Sequence, residues 1–152
     1  MDVFLAYTPD DEFELLKATM EAWAECDGAN VSAIFISKKS KFELLRRITA
    51  DNLSSEKFYI LADLGCVPSG TDTVRLVRSK ISDDHGLVGL KSEDSEVKTV
   101  PEGVRICQKG AISRWATPKT GDYNFEHMAS ALKVGKKVEV WDSPMFKHVG
   151  AS

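Results

Sequence analysis

Several features that identify common classes of protein are missing from this sequence. Its 152 residues contain only three cysteines, Cys26, Cys66 and Cys107, which are far apart and form no C-x-x-C pair, so a structural zinc site is not indicated. A small, dispersed set of this kind is typical of reduced thiols, which predicts a cytoplasmic location. No apolar run approaches the roughly 18 residues that a membrane-spanning helix needs, so we expect no membrane span.

Motifs for familiar cofactors and nucleophiles are absent as well. No G-x-G-x-x-G follows the first apolar segment and no P-loop occurs, which argues against a nicotinamide cofactor and against a P-loop ATPase. No G-x-S-x-G or comparable Cys–His signature marks a nucleophile. The formal charge is −3, so the chain as a whole does not attract nucleic acid. A nucleic-acid acceptor stays open only through a local patch such as Lys38, Lys39 and Lys41.

What the sequence does contain is an alternation of strand-like and helix-like segments. With 43% hydrophobic and 28% charged residues, the composition is that of a globular protein, and the length suits one domain, 1–152. Strand patterns occur at Val3–Tyr7, Val31–Ser37, Phe58–Leu61, Gly86–Leu90, Val104–Cys107, with Lys109–Trp115 continuing or pairing with it, and Val138–Trp141. Helix patterns have apolar faces of Phe13, Leu16, Met20 and Trp23, then Phe42, Leu45 and Ile48, then Thr71–Ile81, then Phe125–Lys133, which Gly135 ends. This alternation predicts an α/β fold whose mostly parallel central sheet is flanked by helices.

One acid stands where the central strand ends. The unbroken apolar run Phe58–Leu61 reads as a strand covered on both faces, and Ala62, Asp63 and Gly65 follow it. In open α/β sheets, ligands bind outside the carboxyl ends of the strands, so a carboxylate there can meet a metal ion or a sugar hydroxyl. Asp63 can equally accept hydrogen bonds within a turn or at a helix start near Gly65 and Ser69. The local residues leave both interpretations open.

The three histidines differ in their surroundings. His148 follows a strand pattern near the end of the chain and is either a ligand or an ordinary surface histidine. His85 lies in a Ser-Asp-Asp-His-Gly turn, where we expect it to be solvated. His127 sits on the last helix next to Glu126, and the pattern does not choose between a site-facing and a solvent-facing position.

Taken in order, these segments resemble one family. The chain is similar to glycosyltransferases of the GT-A type that use nucleotide sugars, and in particular to the large inverting family 2, over almost its whole length. Before and at the central strand, the matching positions are the turn Tyr7-Thr8-Pro9, then Arg47 and Asn52, and then Asp63 at the first position of an acid-x-acid motif that Pro68 follows. Later in the chain they are the segment Tyr123-Asn124-Phe125-Glu126, which opens a helix that ends in Gly135, and finally His148. The resemblance implies a Rossmann-like GT-A fold in a single domain.

The resemblance also implies a reaction and a set of site residues. A sugar would move, with inversion, from a nucleotide-diphosphate donor, by analogy a UDP-sugar, to an acceptor hydroxyl. A divalent ion, Mn²⁺ or Mg²⁺, would neutralise the leaving diphosphate. The implied roles are metal binding by Asp63 and His148, nucleotide binding by Tyr7, Thr8, Arg47, Asn52 and Asp63, and general base catalysis by Glu126 or Asp122. Neither the acceptor nor an oligomeric state is indicated.

Two positions depart from the family pattern. Gly65 replaces the second acid of the acid-x-acid motif, and Asn124 replaces an acid that would accept a proton. Glu126 can also be read as a helix-start acid and Asp122 as a helix N-cap. These departures motivate a second hypothesis from another class, a catalytically inactive GT-A-like module that binds nucleotide sugars or a partner. Metal-dependent turnover would favour the enzyme, and metal-independent nucleotide binding would favour the module.

Overall fold

The computed structural model describes residues 1–35, 56–94, 103–112 and 123–149. The strands are β1 (Asp2–Tyr7), β2 (Asn30–Phe35), β3 (Phe58–Ala62), β4 (Cys66–Pro68), β5 (His85–Ser92), β6 (Val104–Gln108) and β7 (Lys137–His148). The helices are α1 (Phe13–Ala24), α2 (Thr73–Lys80), α3 (Lys109–Ile112) and α4 (Tyr123–Lys133). The predicted helix around Phe42, Leu45 and Ile48 lies outside the described residues. Within them, no helix is long and apolar enough to cross a membrane.

The seven strands form one mixed sheet in the order β2-β1-β3-β6-β5-β7-β4. Three neighbouring pairs are parallel, β1 with β2, β1 with β3, and β5 with β7. The other three are antiparallel, β3 with β6, β5 with β6, and β4 with β7. The α/β class is therefore confirmed, but the prediction of a mostly parallel sheet is wrong. The strand–helix alternation holds only for the first part of the chain, and β6 and β4 then enter in the opposite direction.

The connection from β3 to β4 forces this sheet to curl. Only Asp63, Leu64 and Gly65 join the two strands, although three other strands lie between them in the order. In a flat sheet those four steps would span about 19 Å. The amide of Cys66 instead donates to the carbonyl of Asp63 over 3.0 Å, which is a tight turn with ends less than about 7 Å apart. The outer strand β4 must therefore fold back towards β3.

The far end of β7 makes this return possible. Leu90 pairs with Trp141 and Lys91 with Met145, so three residues of β7, Asp142 to Pro144, have no partner on β5. Such extra residues bend a strand and increase its local twist. Beyond this bulge, β7 continues to His148 and pairs with β4. The predicted strand Val138–Trp141 is thus only the first part of a longer, bent strand.

Two apolar clusters cover the two faces of the sheet. Alternation along β1 sends Val3 and Leu5 to one face and Phe4 to the other. On the first face Val3 and Leu5 pack with Leu16 and Trp23 of α1. On the second face Phe4 packs with residues of β3, β5 and β6 and with Ala131 of α4.

One member of the predicted apolar face of α1 is misplaced. Phe13 is 70% exposed, so its assignment to the core is wrong. It is the first residue of α1, whereas the buried positions are Leu16, Thr19 and Trp23. The segment Lys109–Trp115 also departs from the prediction, because Lys109–Ile112 form a helix rather than a strand, and its remainder lies outside the described residues.

His85 is buried, contrary to the prediction that it is solvated. Its Nδ1 accepts a hydrogen bond from the amide of Ser82 over 3.0 Å, so Nε2 carries the proton and donates it to Oε1 of Glu139 over 2.8 Å. Its ring meets Trp141 edge-on at 5.5 Å. His85, the first residue of β5, is thus turned inward, and its contacts with Glu139 and Trp141 connect the beginning of β5 to β7.

A charged and a neutral polar side chain lie together within the second face. Arg105 of β6 is 1% exposed and His127 of α4 is fully buried. Burial first, and then the positive charge of Arg105, hold the pKa of His127 well below its ordinary value of 6.5. The pattern that left His127 undecided is thus resolved in favour of the interior, where the imidazole stays neutral.

We expect a Gly103→Ala substitution to lower the free energy of unfolding by about 2–4 kcal/mol. Gly103 has a φ of +80°, and an added Cβ would lie 2.5 Å from Cζ of the buried Phe146. Chemical denaturation measures the loss. Gly110→Ala is the matched control, because nothing lies within 4 Å of its added Cβ and the residue is helical. Equal losses in the two variants would contradict the close packing of Phe146 on Gly103.

The buried His127 should make the protein less stable in mild acid. Because its pKa is depressed in the folded state, only the unfolded chain gains a proton as the pH falls below about 6.5. Between about pH 7.5 and about pH 5.5 this costs about 1.3 kcal/mol, which His127→Gln should remove from the pH dependence of the free energy of unfolding. Ser130 lies on α4 like His127, and Ser130→Ala, which loses a hydrogen bond to the carbonyl of Ala111 on α3, should shift stability without changing that dependence.

Candidate functional site

Five strands end at the same edge of the sheet. The pairings make β1, β2, β3, β5 and β7 run in one direction, with β6 and β4 running against them. The carboxyl edge therefore holds Tyr7 at the end of β1, Asp63 after β3, Asp94 after β5 and His148 at the end of β7. This is the edge at which open α/β sheets bind ligands.

The turn that carries Asp63 is held from three sides, and we call residues Asp63 to Cys66 the acid turn. The amide of Asp63 donates to the carbonyl of Gly103 over 2.7 Å, next to the start of β6. The amide of Gly65 donates to Oγ1 of Thr19 on α1 over 2.9 Å. The carbonyl of Gly65 accepts from the amide of Val149 over 2.8 Å. Strand, helix and chain end thus fix the backbone under Asp63.

The helix α1 serves the acid turn through two buried side chains. Thr19 donates its hydroxyl proton to the carbonyl of Leu15 over 2.7 Å, so its oxygen is left to accept from Gly65. Trp23 donates its indole proton to the carbonyl of Cys66 over 2.9 Å. Buried hydrogen bonds of this kind contribute about 0.5–1.5 kcal/mol each and cost more when broken.

The geometry of the acid turn explains why a glycine stands at the second motif position. Gly65 has a φ of +85°, a conformation that other residues adopt only under strain. A Cβ built there would lie 3.1 Å from the carbonyl oxygen of Val149. A carboxylate at residue 65 would therefore need a strained backbone conformation and a small shift of Val149, so this turn accepts the missing acid only at a cost in stability.

His148 lies beside the acid turn and is paired with another acid. It is the strand partner of Cys66, and its neighbour Val149 bonds Gly65. Its Nδ1 lies 2.9 Å from Oδ2 of Asp94. The hydrogen bond from His148 is the main cause that lowers the pKa of Asp94. The structure thus brings the segments of Asp63 and His148 together and places Asp94 beside His148.

The buried ring of Phe146 contacts both the acid turn's neighbour Gly103 and His148. The packing of Phe146 against Gly103 connects β7 to the residue that accepts the hydrogen bond from Asp63. The same ring meets the imidazole of His148 edge-on, with centroids 5.4 Å apart. Any shift of His148 is thereby coupled to the acid turn.

The predicted nucleotide turn follows β1 at this edge. Tyr7 pairs with Phe35 of β2, and their rings meet edge-on at 5.4 Å, with Phe35 47% exposed. Thr8 is buried, and its amide donates to Oδ2 of Asp11 over 2.7 Å, so it shapes the turn. The other predicted nucleotide residues, Arg47 and Asn52, lie outside the described residues.

One of the predicted bases lies on α4. Gly86 at the start of β5 lies against the end of this helix, where an added Cβ would be 2.8 Å from Cβ of Ala131. The last part of α4 therefore packs on the amino end of β5, next to the start of β7. The backbone of Glu126 belongs to the first part of the helix. The side chain of Glu126 and the whole of Asp122 lie outside the described residues.

The residues at this edge fit a metal ion only in part. No group of three His, Cys, Asp or Glu side chains that could hold a metal occurs within the ranges that the structure describes. One carboxylate at Asp63 and one imidazole at His148 are nevertheless suitable donors for Mn²⁺ or Mg²⁺. A cation here would need further oxygen ligands from a bound phosphate or from water.

Comparisons with known proteins identify the fold. No protein-family model and no curated protein matches the sequence. Solved structures do match, among them a glycosyltransferase involved in the glycosylation of the major capsid of PBCV-1, with a TM-score of 0.63 and 13% identity over 99% of this chain and 94% of that one. A mannosyltransferase from Pyrobaculum calidifontis, in complex with GDP-Man and Mn²⁺, matches with a TM-score of 0.73 and 11% identity over 99% of this chain and 57% of that one.

A third match is a glucosyl-3-phosphoglycerate synthase from Mycobacterium tuberculosis in complex with Mn²⁺, uridine diphosphate and phosphoglyceric acid. Its TM-score is 0.64 and its identity 11%, over 99% of this chain and 71% of that one. The chain therefore has a GT-A-like glycosyltransferase fold, as the sequence pattern predicted.

Sequence reasoning missed three residues of this edge. Thr19 looks like an unremarkable position within an apolar helix face, although its spacing from Leu16 and Trp23 would have placed it inward. Asp94 lies in a polar run that reads as an exposed loop, and only the pairing of β5 with β7 brings it to His148. Phe35 stood in the predicted second strand, but its place beside Tyr7 depends on the parallel register of β1 and β2.

Restoring the second motif acid should not restore a metal site. We expect Gly65→Asp to lower the free energy of unfolding by about 1–2 kcal/mol because of its positive φ, and to leave the affinity for Mn²⁺, measured by isothermal titration calorimetry, no higher. Gly65→Asn is the control, since asparagine has the same shape, lacks the charge and tolerates this φ better. Tighter Mn²⁺ binding at unchanged stability would contradict the geometry of the acid turn.

Proposed function

We propose that this chain is a glycosyltransferase that moves a sugar from a nucleotide-diphosphate donor, a UDP-sugar, to an acceptor hydroxyl with inversion. One observation carries the proposal. On a glycosyltransferase fold, the acid turn and the end of β7 are bonded to each other at the carboxyl edge, so Asp63 and His148 belong to one small region. The matching mannosyltransferase and synthase, whose structures hold Mn²⁺ with GDP-Man or uridine diphosphate, support the same chemistry.

Asp63 and His148 would hold the metal, Mn²⁺ or Mg²⁺. Such a cation supplies positive charge to the diphosphate as its bond to the sugar breaks. With two protein donors among the described residues, the affinity for metal without nucleotide should be low, and phosphate oxygens would complete the coordination. Metal and donor would then bind together, which is a property that calorimetry can measure.

The nucleotide would lie over the ends of β1 and β2. Tyr7 and the half-exposed ring of Phe35 offer an aromatic surface against which a base can stack. Thr8 would keep the turn after Tyr7 in place through its bond to Asp11. Arg47 and Asn52 would also bind the nucleotide, as the sequence resemblance implies.

The transfer itself needs a base on the acceptor side. Glu126 or Asp122 would take the proton of the acceptor hydroxyl, whose oxygen forms the new bond to the anomeric carbon as the bond to the diphosphate breaks and its electron pair leaves with the diphosphate. Attack from the side opposite to the leaving group inverts the anomeric centre. The sequence resemblance supports a base at the start of α4, where the backbone of Glu126 lies.

The alternative function is a GT-A-like module that binds nucleotide sugars or a partner without turnover. Two observations favour it specifically: a second acid in the acid turn would be strained, and the described residues form no three-ligand metal group. In both cases residues 1–152 would act as one domain, and a cytoplasmic location stays a prediction from the cysteines.

The enzyme proposal predicts that uridine diphosphate binds at least about tenfold more tightly with Mn²⁺ than with a chelator, and that one sugar nucleotide of a panel is consumed. Asp63→Asn and His148→Ala should each weaken the metal-dependent binding by about 10- to 100-fold, because each removes one ligand of the cation. Calorimetry measures binding, and release of uridine diphosphate measures turnover.

Matched controls lie close by. Asp83→Asn changes an exposed acid at the opposite edge of the sheet, and Lys147→Ala changes the residue next to His148, so both should bind like the wild type. Nucleotide binding that ignores Mn²⁺, without turnover of any donor, would replace the enzyme by the binding module. The absence of any nucleotide binding would reject the enzyme and the nucleotide-sugar-binding module, and would leave only a module that binds a partner.

A further inference from the structure

Asp94 holds His148 at two points with the same oxygen. Its Oδ2 accepts from the ring Nδ1 over 2.9 Å and from the backbone amide of His148 over 3.3 Å. Ser92 supports this arrangement, since its Oγ accepts from the amide of Asp94 over 3.1 Å and lies 3.5 Å from the same Nδ1. Two contacts, one to the ring and one to the backbone, restrict both the rotamer and the orientation of the imidazole.

The register of the sheet places Asp94 beside His148. Ser92, at the end of β5, is the strand partner of Phe146, and the amide of Glu93 donates to the carbonyl of Phe146 over 2.9 Å. The next residue on β5 is then Asp94, at the level of the last residues of β7. The contact therefore follows from the register of two parallel strands.

A contribution to stability does not account for this pair. The side chains of His148 and Asp94 are 46% and 59% exposed, and exposed pairs of this kind add little to the free energy of folding. An acid at this edge would also repel the phosphates of a nucleotide. Its position is better explained by what it does to the imidazole.

The pairing decides which ring atom faces outward. An ionised carboxylate only accepts hydrogen bonds, so the proton of a neutral His148 lies on Nδ1. Nε2 then keeps its lone pair, and the described residues offer this atom no hydrogen bond. A nitrogen lone pair attracts a cation and repels a phosphate oxygen. In metal sites the second nitrogen of a ligating histidine commonly donates to a carboxylate in this way.

We propose that Asp94 is a positioning residue that keeps His148 in the Nδ1–H tautomer, so that Nε2 is presented to the metal ion and not to the diphosphate. The proposal rests on the metal-dependent function proposed above for the same site. It assigns to Asp94 a role in metal affinity although its carboxylate does not touch the metal.

The first test needs neither metal nor activity. Nitrogen-15 NMR of the imidazole at about pH 8, with the signals of His148 assigned by His148→Gln, should show a protonated Nδ1 and an unprotonated Nε2. Asp94→Ala should move the population towards the Nε2–H tautomer. Glu93→Ala is the matched control, because it removes a neighbouring exposed acid that makes no contact with the ring among the described residues. Asp94→Asn, which keeps an acceptor oxygen, should retain part of the wild-type pattern.

The second test measures the affinity for Mn²⁺ in the presence of uridine diphosphate. Loss of such a supporting partner typically weakens metal binding by about 10- to 100-fold, so Asp94→Ala should do so and Glu93→Ala should not. A wild-type His148 in the Nε2–H or imidazolium form, or equal effects of the two alanine variants, would overturn the proposal. If the tautomer is as expected but the wild type binds no metal–nucleotide complex, the proposed function fails and the positioning role for metal fails with it, while the pairing itself stands.

Discussion

The structure depends on one short connection, the three residues between β3 and β4. Because these strands lie at distant places in the order of the sheet, a connection this short is possible only if the sheet curls back on itself. The bulge in β7 and the close packing of Phe146 on Gly103 are the local means by which it does so. The curl then brings the end of the chain beside the acid that closes the central strand.

The same constraint shapes the chemistry of the site. A turn this tight uses a positive φ at Gly65 and is bonded by Thr19 of α1 and by Val149 after β7, so a second carboxylate in the turn would be strained. The acid turn and the end of β7 therefore offer one carboxylate, Asp63, and one imidazole, His148. A cation held by so few protein donors would depend on its substrate for the rest, which would make donor binding and metal binding a single event.

The outward face of the site is organised by a second parallel pair. β5 and β7 end side by side, and the acid after β5 meets the imidazole at the end of β7. On the other side of the edge, β1 and β2 place Tyr7 and Phe35 together in the same manner. In each case residues far apart in sequence meet because parallel strands share an edge of the sheet.

The sequence alone determined the local elements and the resemblance. Apolar runs and helical spacing placed β1, α1, β3, α2 and α4 near their observed bounds, since these patterns depend on which face of each element is buried. The acid after β3 was singled out by its place at the end of a buried strand, and the histidine by the family resemblance. Strand direction, the inward turn of His85, the exposure of Phe13 and the pairing of Asp94 with His148 were decided by the tertiary structure. They depend on contacts between residues distant in the chain, and no local periodicity records which strands become neighbours or how far a sheet curls.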